Sequence, residues 1–175
     1  MTKLLGLSGS LRAGSYNTML VNEAARAFAP DHFQMADLNL PLFNEDLEAQ
    51  GSPDAVTKLC DQIAWADALV ISCPEYNKGP SGVMKNALDW ISRIKPMRTA
   101  GKPTAVLSAA AGMAGGQRAK SAMYLYLIPF QVDLVLHPEV IIGGASAKFG
   151  EDGRLTDEAA QGFLQQLMDA LKSRI

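Results

Sequence analysis

Short apolar runs alternate along the chain with longer segments in which apolar residues recur at helical spacing. The apolar runs predict strands at residues 4–8, 33–38, 68–72, 104–108 and 132–136, the last continuing after Pro138 through residues 140–142. The helical periods predict helices over residues 15–29, 56–63, 81–94 and 116–127, and a last helix with Phe163, Leu164, Leu167, Met168 and Leu171 on one side. Residues 39–52 are expected to form a long connection.

This alternation of strands and helices predicts an α/β fold with a parallel sheet and right-handed crossovers. The run at residues 68–72 is continuously apolar, as expected for a strand that helices cover on both faces. In such a sheet the ligand lies beyond the carboxyl ends of the strands, where the strand order reverses. Functional residues are therefore expected in the loops that follow the first, third and fourth strands.

Length and composition narrow the class of protein. With 175 residues, 48% hydrophobic and 19% charged, the chain is expected to form one folded domain over residues 1–175. Its formal net charge of −2 argues against nucleic-acid binding, which needs a basic surface. Cys60 and Cys73 form neither a CxxC pair nor a metal-ligand set with the two histidines, so no metal site is predicted. Because we find no signal-like N-terminal segment and no apolar run of about 18 residues, we expect a cytoplasmic protein without a membrane partner.

The loop after the first strand carries groups suited to a phosphate. It covers residues 9–18 and leads into a helix, whose N-terminus attracts anions. Ser10, Ser15 and Asn17 can donate hydrogen bonds, and Arg12 can add a charge-assisted contact. The alternative is that Ser15 only caps the helix and Arg12 is solvated. The loop matches neither the GxGxxG dinucleotide fingerprint nor a P-loop.

The loops after the third and fourth strands suit a flat ring. In residues 74–82, Tyr76 could lie against a heteroaromatic ring whose edge meets the backbone of residues 75–77. The alternative is a turn in which Tyr76 covers the core, and Glu75 fits a solvated or interface carboxylate as well as a catalytic one. In residues 108–118, small side chains would let a ligand approach backbone N–H groups, unless that loop is only flexible.

Three segments together resemble the NADPH-dependent FMN reductase family, which includes bacterial quinone and chromate reductases and related azoreductases. They are GSLRAGSYNT at residues 9–18, PEYNKGPSGVMKNALDW at 74–90 and SAAAGMAGGQRA at 108–119. The resemblance implies a flavodoxin-like three-layer α/β sandwich with a five-stranded parallel sheet of order 2-1-3-4-5. It also implies bound FMN, NADPH or NADH as co-substrate, and a homo-oligomer, either a dimer or a tetramer.

Carried onto this chain, the binding residues of the family form two groups. The phosphate site falls on Ser10, Arg12, Ser15, Asn17 and Thr18, and the isoalloxazine site on Pro74, Glu75, Tyr76, Asn77, Ser108 and Gly112. The alanines of the third loop depart from the hydroxyl-bearing or bulkier residues often found there in relatives. No side chain is assigned as a catalytic acid or base, since the cofactor would carry the reactive atom.

The resulting hypothesis is an FMN-dependent NAD(P)H oxidoreductase with a ping-pong cycle. NAD(P)H would give a hydride to the flavin and leave, and a quinone, flavin, azo compound or metal oxyanion such as chromate would then take the electrons in the same cleft. The main alternative is a non-enzymatic flavodoxin-type electron carrier, although a net charge of −2 does not fit its usual strongly acidic surface. A third hypothesis is a module that binds some other phosphate. Arg118 and Lys78 are the candidates for contact with the extra phosphate of NADPH.

Other side chains receive structural interpretations. Lys85 and Asp89 have the spacing of an ion pair on a helix surface. Trp90 is assigned to helix packing or to an interface, and Cys73 to a small buried hydrophobic side chain. Candidate oligomer contact surfaces are the helices that carry Trp90, Met123, Tyr124 and Tyr126.

Overall fold

A parallel sheet lies at the centre of this computed structural model, which describes residues 1–175. The strands are β1 (Lys3–Ser8), β2 (His32–Ala36), β3 (Ala68–Ser72), β4 (Glu75–Tyr76), β5 (Gly79–Pro80), β6 (Pro103–Ala109), β7 (Asp133–Val135) and β8 (Ile141–Ile142). The main sheet has the order β2-β1-β3-β6-β7 with parallel neighbours, whereas β4 and β5 form a separate antiparallel hairpin. β8 pairs with the carboxyl end of β6, after the part of β6 that pairs with β7. This fits the prediction that the last strand continues after Pro138. Without the hairpin this is the predicted order 2-1-3-4-5, so the fold prediction is confirmed.

Helices flank the sheet. They are α1 (Tyr16–Phe28), α2 (Glu45–Glu48), α3 (Asp54–Trp65), α4 (Gly82–Arg93), α5 (Gln117–Leu127) and α6 (Glu158–Lys172). Short 3-10 helices follow α5 at Ile128–Phe130 and precede α6 at Ala145–Ala147. Ser15, Ser81 and Asp157 begin α1, α4 and α6, each by accepting a hydrogen bond from the first helical turn. None of the helices has the length and apolar composition needed to span a lipid bilayer.

The helices cover both faces of the sheet, which gives three layers. Successive strand residues point to opposite faces, so Leu4 and Val70 belong to one core, and Leu5 and Ile71 belong to the other. α1 and α6 close the first core, whereas α3, α4 and α5 close the second. Burial on both faces explains why β3 is apolar along almost its whole length.

The structure corrects several details of the sequence interpretation. Residues 39–52 contain the short helix α2, which Asn44 begins by accepting a backbone N–H at 2.8 Å. Phe163 is 52% exposed, because it lies beside the buried stripe of α6 rather than within it. Trp90 is fully buried, and its indole N–H donates to the Pro41 carbonyl at 2.8 Å. Trp90 therefore packs helix α4 onto the core, which is the first of its two predicted roles.

Gly6 lets α1 approach the backbone of β1 closely. A Cβ atom at this position would lie 2.3 Å from Cγ1 of Val21 and 3.1 Å from Cε2 of Phe33. Val21 is fully buried and β-branched, so its side chain has little freedom to move aside. The missing side chain at Gly6 therefore determines how near α1 lies to the sheet.

We expect Gly6→Ala to lower the free energy of unfolding by about 1–3 kcal/mol, because the added methyl group overpacks this contact. Urea denaturation followed by circular dichroism measures the change. Gly162→Ala in α6 is the matched control, since its Cβ would meet no atom within 4 Å. The control should raise stability by about 0.5–1 kcal/mol. Wild-type stability in Gly6→Ala would contradict the close packing of α1.

Candidate functional site

Three loops meet at the carboxyl edge of the sheet, where a ligand is expected. Loop 1 (residues 9–15) follows β1, loop 2 (73–81) follows β3 and contains the hairpin, and loop 3 (110–116) follows β6. They enclose a cleft of about 310 Å³, a volume within the range of small-molecule sites. Its lining includes the predicted residues Ser10, Arg12, Ser15, Asn17, Pro74, Glu75, Tyr76 and Gly112. It also includes Tyr16 and residues 109–111, which sequence reasoning did not single out.

The remaining predicted residues, Thr18, Asn77 and Ser108, do not line the cleft. The Thr18 hydroxyl lies 2.8 Å from the hydroxyl of Ser8, at the end of β1. Asn77 is exposed in the hairpin turn. Ser108 is fully buried, and its hydroxyl donates to the Cys73 carbonyl at 2.7 Å. Thr18 and Ser108 therefore support the loops from the ends of the strands rather than from within the cleft.

One end of the cleft is positively charged. Ser15 begins α1, and the N–H groups of Tyr16 and Asn17 in its first turn donate to no group of the chain. Arg12 takes part in none of the ion pairs. Its guanidinium donates to the Gly14 carbonyl and lies 5.6 Å from the centre of the Tyr16 ring. Free N–H groups at a helix N-terminus beside an unpaired arginine fit a phosphate dianion.

The other part of the cleft is a slot between loop 2 and loop 3. Tyr76, 57% exposed, and Pro74 line it from loop 2, and the small residues 109–112 line it from the end of β6 and loop 3. The N–H groups of Ala111 and Gly112 donate to no group of the chain, so they are available to a polar ring edge. Short side chains next to backbone donors fit a flat heteroaromatic ring.

The Asn17 side chain joins the start of α1 to the ends of β3 and β6. It is only 4% exposed. Its Oδ1 accepts from the Ser72 hydroxyl at 2.8 Å and from the Ala109 N–H at 3.1 Å, and its Nδ2 donates to the Ala109 carbonyl at 2.9 Å. The Asn17 amide was expected to donate to a phosphate; in the structure one of its two N–H donors is used by the Ala109 carbonyl, and the side chain still lines the cleft. The backbone N–H of Asn17 makes no hydrogen bond within the chain.

Two serines complete the links among the loops. The Ser81 hydroxyl donates to the Gly9 carbonyl at 2.6 Å, which joins loop 2 to loop 1, and accepts from the N–H of Met84 at 3.2 Å. Ser108 joins the end of β6 to loop 2 through its bond to Cys73. Every buried side-chain nitrogen and oxygen atom has a hydrogen-bond partner. The edge of the cleft is therefore held by a fully satisfied polar network.

Glu75 caps helix α5 from another loop. Gly116 precedes α5 and has no side chain, so the N–H groups of the first turn need an acceptor from elsewhere. One Glu75 oxygen accepts from the N–H groups of Arg118 at 3.0 Å and Ala119 at 3.4 Å, and the other lies 3.3 Å from Nη1 of Arg118. A carboxylate is favourable at this positive end of a helix. Within the chain, Glu75 therefore links loop 2 to α5.

Tyr16 is the cleft residue that sequence reasoning missed. The Tyr16 ring stacks on Phe149, with ring centres 5.7 Å apart, and also lies next to Arg12. Its position directly after the N-cap Ser15 is the signal that could have identified it, because the first residues of such a helix face the ligand. Residues 109–111 belong to the loop whose small side chains were predicted to let a ligand approach the backbone, so the sequence indicated the segment but not these individual residues.

Cys73 lies at the start of loop 2 and is fully buried. Burial raises the pKa of its thiol, an effect that hydrogen bonds with Ser81 partly oppose. A thiol that stays protonated is a poor nucleophile. Cys73 is therefore a small buried hydrophobic side chain, as predicted. The predicted ion pair between Lys85 and Asp89 is also present, at 2.5 Å.

Comparisons with known proteins find relatives along nearly the whole chain. Residues 2–147 match the family model of the NADPH-dependent FMN reductases. The NAD(P)H-dependent FMN reductase PA1204 of Pseudomonas aeruginosa is 43% identical over 172 residues, which cover 97% of this chain and 93% of that protein. A quinone reductase of Pseudomonas putida is 37% identical over 169 residues, which cover 94% and 90%. The solved structure of the flavoenzyme NAD(P)H:(acceptor) oxidoreductase FerB of Paracoccus denitrificans has a TM-score of 0.87 at 29% identity, over 99% of both chains. The matched family is the one that the loop motifs resemble, so that prediction is confirmed.

We expect Asn17→Ala to lower the free energy of unfolding by about 2–4 kcal/mol, because it leaves the Ser72 hydroxyl and both backbone groups of Ala109 without their partner. Denaturant unfolding measures the loss. Asn39→Ala is the control, since Asn39 is exposed and its side chain makes no hydrogen bond. That control should change stability by less than about 0.5 kcal/mol. Equal effects of the two substitutions would argue against the role of Asn17 as a link.

Proposed function

Because the chain belongs to the NADPH-dependent FMN reductase family, we propose that it is an FMN-dependent NAD(P)H oxidoreductase that reduces quinones. The choice of quinones is supported by relatives named quinone reductase in Pseudomonas putida and Escherichia coli. Flavins, azo compounds and metal oxyanions such as chromate are further acceptors in this proposal. Residues 1–175 form one FMN-binding domain, in which donor and acceptor use the same cleft in turn.

One observation carries the proposal: a single cleft combines a cationic helix N-terminus with a narrow slot. FMN joins a flat three-ring system to a phosphate dianion through a flexible chain. The free N–H groups of α1 and the unpaired Arg12 match the phosphate. The slot between Tyr76 and residues 109–112 matches the ring.

Each loop has a defined task in this arrangement. Arg12, the hydroxyls of Ser10 and Ser15, and the backbone N–H groups at the start of α1 hold the phosphate. Pro74, Tyr76 and the backbone of residues 111–112 hold the ring. The other predicted residues shape the site: Asn17, Thr18, Glu75 and Ser108 keep the loops in position, and Asn77 forms the hairpin turn.

The protein contributes binding and orientation to the reaction. When bound, FMN supplies the redox chemistry, taking a hydride from a reduced nicotinamide and passing electrons to an acceptor. Glu75, the carboxylate among the lining residues, is engaged with the N-terminus of α5. We therefore assign no side chain as a general acid or base.

The proposal includes a homo-oligomer, either a dimer or a tetramer. A groove of about 330 Å³ between α4 and the end of α5 is lined in part by Leu125 and Tyr126. Leu125 and Ile128 are 67% and 66% exposed, and clustered apolar side chains on a surface favour contact with another protein chain. Trp90 and Met123 were expected at such a surface, but both are fully buried and do not contribute to it.

Anaerobic stopped-flow mixing of the FMN-loaded protein with NADPH or NADH tests the activity. An oxidoreductase should lose its oxidised-flavin absorbance within the time of one turnover and then recover it on addition of a quinone. An electron carrier is not reduced quickly by NAD(P)H alone, so slow reduction would overturn the proposal. Failure of the protein to take up FMN at all would favour a module for another phosphate ligand.

We expect Arg12→Ala to weaken FMN binding about 10–100-fold while riboflavin binding stays unchanged, because riboflavin lacks the phosphate. Isothermal titration of the apoprotein with each ligand measures the difference. Arg93→Ala serves as the control: it removes the same charge from α4, where Arg93 pairs with Glu48 at 2.8 Å. If both ligands lost affinity equally, or FMN lost none, Arg12 would not be a phosphate ligand.

A further inference from the structure

The hairpin turn holds a lysine in a backbone conformation that favours glycine. Asn77 and Lys78 connect the paired residues Tyr76 and Gly79, and their φ angles are +50° and +67°. A positive φ at both central residues is what a type I′ turn requires, and Asn-Gly is its preferred sequence. Asparagine visits the left-handed region readily, whereas a lysine does so at an energetic cost. Backbone strain of this kind clusters at active sites and ligand clamps.

Lys78 is also a cation that no other group of the chain engages. It is exposed and takes part in none of the ion pairs. Arg118, the other candidate for contact with an additional phosphate, lies 3.3 Å from the Glu75 carboxylate and belongs to the cap of α5. Arg12 belongs to the proposed FMN phosphate site on loop 1. Of the two candidates that the sequence left open, the structure therefore favours Lys78.

Lys78 lies at the tip of the hairpin, just outside the lining of the cleft. Tyr76, two residues earlier, lines the slot. Glu75 anchors the same strand to the first turn of α5 through two backbone N–H groups. Lys78 is therefore an exposed cation held two residues away from a side chain that lines the slot.

We propose that Lys78 binds a phosphate group of the nicotinamide dinucleotide when that co-substrate occupies the cleft. This inference rests on the proposed function. The dinucleotide is an extended anion, so a nicotinamide ring that lies against the exposed face of the bound flavin leaves its phosphates outside the slot. A lysine ammonium binds phosphate as a compact point charge. In a protein of net charge −2, a local cation also offsets the repulsion of an anionic substrate.

Two phosphates offer the same chemistry to Lys78. The pyrophosphate is present in both NADH and NADPH, whereas the 2′-phosphate is present in NADPH alone. If Lys78 contacts the pyrophosphate, its loss should weaken the binding of NADH and NADPH equally. If it contacts the 2′-phosphate, its loss should weaken the binding of NADPH alone.

Steady-state kinetics of the FMN-loaded protein test the proposal. In Lys78→Gln and Lys78→Gly we expect KM for the affected dinucleotide to rise about three- to tenfold, while kcat is retained. Lys78→Arg should keep the wild-type KM, because it keeps the charge. The KM of the wild type should rise with ionic strength more steeply than that of Lys78→Gln. The matched control is Lys58→Gln, which removes an exposed, unpaired lysine from α3.

Two measurements that do not depend on turnover support the kinetics. Binding of NADP⁺ to the FMN-loaded protein, followed by titration calorimetry, should weaken in Lys78→Gln by the same factor as KM rises for NADPH. The thermal unfolding midpoint of Lys78→Gly should not fall below that of the wild type, because glycine relieves the strained turn. A variant that is no less stable yet binds the dinucleotide less tightly shows that Lys78 serves binding rather than folding.

The proposal would be overturned by unchanged KM values in both Lys78→Gln and Lys78→Gly, or by an equal rise in Lys58→Gln, which would indicate only the overall charge. These outcomes are distinct from failure of the proposed function. If the proposed function were wrong, the wild-type protein itself would not be reduced by NADPH or NADH, whatever residue stands at position 78.

Discussion

Hydrogen bonds from a few short polar side chains to the ends of the central strands hold the three loops in place, and the cleft depends on them. Asn17 links the start of α1 to β3 and β6, Ser81 links loop 2 to loop 1, and Ser108 links β6 to loop 2. These groups are buried, so a lost partner would leave an unsatisfied polar atom at a cost of about 1–3 kcal/mol. The network therefore specifies one arrangement of the loops, and the loop backbones can present their free N–H groups to a ligand without rearranging.

The cleft concentrates positive charge in a protein of slightly negative net charge. Arg12 and the N-terminus of α1 supply it on loop 1, and the exposed Lys78 lies at the tip of the neighbouring hairpin. Arg118 does not contribute in the same way, because the Glu75 carboxylate neutralises it while capping α5. Local charge of this kind suits phosphorylated ligands, and it needs no basic surface over the whole protein.

Packing of the helices on the sheet determines the positions of the groups that line the cleft. Both faces of the sheet are covered, and at Gly6 the absent side chain lets α1 lie directly against β1. The N-terminus of α1 is thereby brought beside the carboxyl ends of β3 and β6, within hydrogen-bond distance for Asn17. The well-packed sheet also supports the strained turn at Lys78. Strain at one exposed residue persists only when the surrounding structure over-determines it.

The alternation of strands and helices and the positions of the three loops could be predicted from the amino-acid sequence, and the resemblance of the loop motifs added the family and the strand order. These features depend on local periodicity and on short motifs, which can be recognised without knowing what lies nearby in space. The contacts of Asn17, Glu75 and Ser108, the burial of Trp90 and the position of Tyr16 could not be predicted in this way. The partners of these side chains are far apart along the chain, as with Asn17 and Ala109, which are 92 positions apart. Which donor meets which acceptor is settled only when the sheet brings its strand ends together.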